Sequence, residues 1–198
     1  MIPVANLGFD ILVPVEFRVS DYGPGVARPE VARLLESHGD GRNLMPLVMN
    51  GNANQPARAE LSKWKARDLF PRARSPEGAL AGLYAYFSCE DEAHRIAQDL
   101  NTPEGSFWHG IVHRREPDAS NAAYWFRRVG PHAVFPKLRN EAHRLRFDTG
   151  AEWDPMEFIG FCEAARVRPG SHEETLATQV QLVEWQLLFD YCVRGIHD

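Results

Sequence analysis

The chain has 198 residues, 22 Lys and Arg against 27 Asp and Glu, a formal net charge of −5, and 44% hydrophobic residues. At about 150 residues per domain this is one domain, with or without an arm, long enough to bury a core without staples. A charged fraction of 25% and a mean hydropathy of −0.38 exclude a membrane-embedded chain and a low-complexity disordered one. The mild acidity argues against sequence-independent nucleic-acid binding, which needs a basic face.

Residues 1–28 read as an extended N-terminal arm. Val13, Val15, Phe17 and Val19 alternate with period two, and Pro14 confines any strand to an edge. Asp21 to Gly25 (DYGPG) is turn chemistry. From there to residue 198 the punctuation is helical, and the expectation is one domain over 29–198. Pro29 opens a short helix through Leu35, closed by Gly39, and Pro56 opens another carrying Ala57, Leu61 and Trp64.

Three further starts place a capping side chain before a proline, whose missing amide hydrogen costs nothing at the first helical position. They are Ser75-Pro76, Thr102-Pro103 and Asp154-Pro155. The last helix opens with a capping box at Ser171–Glu174 and runs to Arg194. The fold class expected is all-α, a compact array of eight to ten helices arranged as hairpins. Two of these helices are apolar on more than one side: residues 79–89 (ALAGLYAYFSC), and 176–193 with its two stripes. Glu184 falls between those stripes and needs an arginine partner if buried.

The segment 102–132 (TPEGSFWHGIVHRREPDASNAAYWFRRVGPH) carries the chemistry-bearing side chains. It predicts a helix over 103–115, a turn through Glu116-Pro117-Asp118, and a second helix over 119–129 capped by Asp118. This helix–turn–helix string resembles one tetratricopeptide or Sel1-type unit, with 79–100 weakly similar. Together with EWQLLFDYC near the C-terminal end, it also resembles an uncharacterised family of bacterial proteins. That resemblance supplies no activity, and the repeat is not sustained as a solenoid requires.

On the first helix Phe107, Trp108, Ile111 and Val112 make an apolar stripe, and His109, His113 and Glu116 share the opposite side. An H-x-x-x-H spacing sets two imidazoles one turn apart, close enough to share a divalent metal or to act as catalytic acid and base, with Glu116 completing the set. The glutamate that a zincin motif requires directly after its first histidine is Gly110 here. His94 and His132 are further candidates. Arg115 falls inside the apolar stripe and requires an acidic partner, for which Glu116, Asp118 or an acid of the C-terminal helix would serve.

On the second helix Ala122, Trp125, Phe126 and Val129 form the stripe expected to be buried, while Asn121, Tyr124, Arg127 and Arg128 face away. In the pocket reading Arg114 and Arg128 attract a small anionic ligand, which Asn121, Tyr124 and His132 orient. The competing reading makes the histidines the solvent face of an amphipathic helix. The protein is then a tetratricopeptide-like scaffold without catalysis, binding a protein partner or a second copy of itself.

Residues 101–150 hold 8 basic against 5 acidic residues, and 151–198 hold 3 against 9, so a net acidic charge does not exclude an anionic small ligand. Cys89, Cys162 and Cys192 lie among apolar neighbours with no C-x-x-C spacing, as expected of reduced thiols in a cytoplasmic protein. The start of the chain lacks a basic leader region, and no run is long enough for a membrane span. No G-x-S-x-G elbow, dinucleotide fingerprint or phosphate loop occurs; residues 43–54 are a plain loop.

Overall fold

The computed structural model describes residues 16–23, 25–49 and 51–195. Among them are ten α-helices and no strand: α1 Pro29–Glu36, α2 Gln55–Leu61, α3 Ala66–Leu69, α4 Pro76–Tyr86, α5 Glu90–Asp99, α6 Pro103–Arg115, α7 Ala119–Val129, α8 Phe135–Arg144, α9 Pro155–Arg166 and α10 His172–Val193. The all-α class is therefore established.

The start signals act through their side chains at most of the predicted positions. Thr102 accepts from the Gly105 amide, Asp118 from Asn121, Asp154 from Met156 and Ser171 from Glu174. Asn54 does the same for α2. Ser75 is an exception: it stands at the N-cap of α4 without a capping bond from its hydroxyl. At the other end of the predicted box, Glu174 accepts from the Gly170 amide.

The described part of the arm differs from the expectation. Val19–Tyr22 is a 3₁₀ helix rather than extended chain. Phe17 and Tyr22 are buried against Phe189, and Phe17 also against Trp185. Aromatic burial on α10 wins over the local period-two pattern. The calls on Val13, Pro14 and Val15 lie outside the described residues.

Two hydrophobic helices form the centre. α4 is buried on nearly every side, and α10 buries residues from Leu176 to Val193 against it. Gly82 lets both α6 and α10 approach α4 closely: a Cβ there would sit 2.7 Å from the Trp108 ring of α6 and 3.3 Å from the Phe189 ring of α10. The Trp185 indole N–H donates to the Gly82 carbonyl at 2.7 Å.

Buried polar side chains then fix the loop before α2. Gln181 donates to the Met45 carbonyl and Gln186 to that of Gly41. Arg115 donates to the Pro46 carbonyl of this loop, and also to the Ala85 carbonyl in the last turn of α4. A loop lacks helical partners for its carbonyls, so these side chains supply them. The three cysteines are free and buried, and burial lifts the Cys89 and Cys162 thiols to about 12. No helix among the described residues is long and apolar enough to cross a membrane.

Candidate metal centre

Helix α6 is the pivot of the site. It packs against α4, α5 and α7, and every residue from Gly105 to Arg115 is buried. The amphipathic-surface expectation fails here, because α5 covers the side of α6 that carries its histidines. His109 is 2% exposed and His113 7%. Gly110 allows the close approach of α7, since a Cβ there would lie 2.7 Å from the Phe126 ring.

Helix α5 brings His94 onto this pair. The Nε2 atoms of His94 and His109 are 3.0 Å apart, and one ligand nitrogen from each of His94, His109 and His113 lies within 4.8 Å of the other two. His109 and His113 stack with ring centroids 4.6 Å apart, and His94 stands edge-on to both. Three imidazoles from two helices thus gather their ring nitrogens in one place.

Electrostatics keeps two of these rings neutral. Burial, reinforced by His113 and His94, lowers the His109 pKa to about 3. Burial also lowers that of His113, although the neighbouring Glu116 carboxylate works in the opposite direction. Neutral imidazole is the form that binds a metal.

Glu116 reaches the cluster through His113. Its Oε2 accepts from His113 Nδ1 at 2.8 Å, which leaves Nε2 of that ring for a ligand role. The Asn121 amide lies 3.4 Å from the same Nδ1. Trp125 is half-buried rather than a core residue, and stacks on His109 at 4.0 Å. It closes the cluster on the α7 side.

The other predicted ligand-binding residues disperse. Arg114 is corrected outright: it is fully buried in an ion pair with Glu184 of α10, its guanidinium 4.6 Å above the Phe158 ring. Burial opposes its charge, but Glu184 overrides this and the pKa rises. The group is spent on the carboxylate that the C-terminal helix buries, and it cannot attract a ligand. Arg115 sits in the apolar stripe as predicted, paired with Glu90 at 3.3 Å, and burial brings its pKa down to about 10.

Tyr124 is 51% exposed and meets Trp125 edge-on. The exposed Arg128 guanidinium lies 5.3 Å from the Trp125 ring and 5.8 Å from Tyr124. His132 is buried among Phe107, Phe135 and Tyr191, away from the triad's contacts. Thus His109, His113, Glu116 and Asn121 come together with His94, whereas Arg114, Tyr124 and His132 do not join them.

The chain matches no family model, and neither a curated protein nor a solved structure is found to match it.

Proposed function

We propose that the protein binds a divalent transition metal through His94, His109 and His113. One observation carries this reading: three ring nitrogens within 4.8 Å of one another, contributed by buried or half-buried imidazoles. Packing like groups together disfavours their protonation, and the cluster gains most when a cation takes their lone pairs.

The donor set fits zinc, copper, nickel or iron rather than magnesium or calcium, which prefer oxygen. Metal–nitrogen bonds are about 2.0–2.1 Å, so a small inward turn of the rings suffices. The second shell is in place, since Glu116 orients His113 through Nδ1. A metal held by these three imidazoles would leave a coordination position for water or substrate and would supply Lewis-acid chemistry there. Arg128 over Trp125 offers positive charge for an anionic ligand beside the cluster.

The scaffold alternative has less support. Large exposed apolar side chains among the described residues are Val48, Tyr124 and Val167, on separate elements or loops.

Calorimetric titration of metal-free protein with Zn²⁺ tests the reading. One equivalent is expected to bind, with His94→Ala, His109→Ala and His113→Ala each weakening affinity at least about a hundredfold, more than loss of an outer-shell partner. Glu116→Gln weakens it about 10–100-fold without abolishing binding. Unchanged affinity in all three histidine variants refutes it.

A further inference from the structure

A cavity lined by none of the three clustered histidines lies between the α7–α8 turn, α8 and the segment before α9. It has a volume of about 350 Å³, and its wall includes Pro131, His132, Phe135, Pro136, Arg139 and Trp153. That is within the range of small-ligand sites.

Its polar groups are nearly all donors. His132 Nδ1 accepts from the Val134 amide at 3.2 Å, so the neutral ring carries its proton on Nε2. That Nε2 is buried without a hydrogen-bond partner, and so is the Trp153 indole nitrogen, which can only donate. The two side chains are 7% and 6% exposed. Arg139 is tethered to the Gly150 carbonyl through Nε and Nη2 and to Asn140 Oδ1 through Nη1, which leaves two of its five N–H groups unused. Asn140 spends its acceptor on that contact and keeps its NH₂.

An unmade buried hydrogen bond is costly, and two donors orphaned in the wall of one cavity share a remedy. We infer that this cavity binds a small aromatic carboxylate, of which benzoate is the minimal form. Phe135, Trp153 and the two prolines offer flat apolar walls to a ring. The carboxylate accepts from the two unused N–H groups of Arg139 and, once the covered imidazole and indole nitrogens turn into the cavity at some cost to the His132–Val134 bond, from His132 and Trp153. Two carboxylates oppose it: Glu152, exposed in the lining, and Glu104, which lies within electrostatic reach of His132.

The inference is independent of metal binding and is tested separately. Uniformly ¹⁵N-labelled protein is titrated with benzoate, following the Trp153 indole N–H signal, assigned by its loss in Trp153→Phe. The signal is expected to move saturably with a Kd of about 1 mM and to stay still with benzylammonium. In Trp153→Phe, backbone amides of 131–153 report benzoate binding about tenfold weaker, since the ring wall is kept and one donor to a charged group is lost. No movement up to about 10 mM benzoate, at which a 1 mM site is mostly filled, overturns it. An equal response to benzylammonium, or unchanged affinity in the variant, does so too.

Discussion

His109 is held on three sides at once: by the Nε2 of His94, by the stacked ring of His113 and by the Trp125 indole. Its Nδ1 is buried without a partner, so nothing on the protein stabilises a charged ring there. Folding therefore favours the neutral form, and the sign of the pH dependence follows. The unfolded imidazole titrates near 6.5 and the folded one near 3, so between these values the unfolded chain binds more protons. The stability contributed is full above about pH 6.5 and is lost as the pH falls towards 3. Thermal melts of metal-free protein are expected to be flat above pH 7 and to decline below it. In His109→Gln, which cannot take up the proton, the decline is shallower. A decline of equal slope in the variant contradicts this assignment.

Among the elements, α6 explains most of what is unusual. One helix carries two of the clustered histidines, an arginine buried against α10 and another buried against α5 and the 46–49 loop. Arg114→Met leaves Glu184 charged and unpaired in the core, and chemical denaturation should show a loss of about 3–5 kcal/mol. The double variant Arg114→Met with Glu184→Leu should recover most of it, because the pair's desolvation cost disappears with the pair. The N-terminal end of α6 is equally constrained: a Cβ on Gly105 would lie 2.0 Å from the Leu100 carbonyl oxygen. Backbone cannot yield there as a side chain can, so Gly105→Ala is expected to cost at least about 1–3 kcal/mol in the same measurement.

At the scale of the whole molecule, the helix boundaries were the legible part. Proline and cap residues placed α6 at 103–115 and α7 at 119–129, and both hold in the structure. The apolar cores of α4 and α10 were legible for the same local reason, continuous hydrophobic runs. What covers the polar side of α6 was not. Helical spacing puts His109 and His113 on one face, but only the packing of α5 decides whether water or His94 lies opposite. Arg114 illustrates the same limit, since its partner is 70 residues away at Glu184. Trp125 belongs to the stripe assigned to the core, and its stacking on His109 depends on how α7 packs on α6, which spacing along one helix does not specify.

The cluster also staples α5 to α6, so a metal bound by the native state alone raises global stability by mass action. At a free Zn²⁺ concentration a hundred times its Kd the gain is about 2.7 kcal/mol, read as a higher melting temperature that a chelator reverses. At the same Zn²⁺ concentration His94→Ala, with affinity at least about a hundredfold weaker, should keep no more than about 0.4 kcal/mol of that gain.

The most direct measurement is X-ray absorption at the zinc edge on protein loaded with one equivalent. The account predicts a first shell with three imidazoles at about 2.0–2.1 Å, one of which is lost in His94→Ala. A first shell of oxygen alone, or an imidazole count unchanged by that substitution, contradicts it.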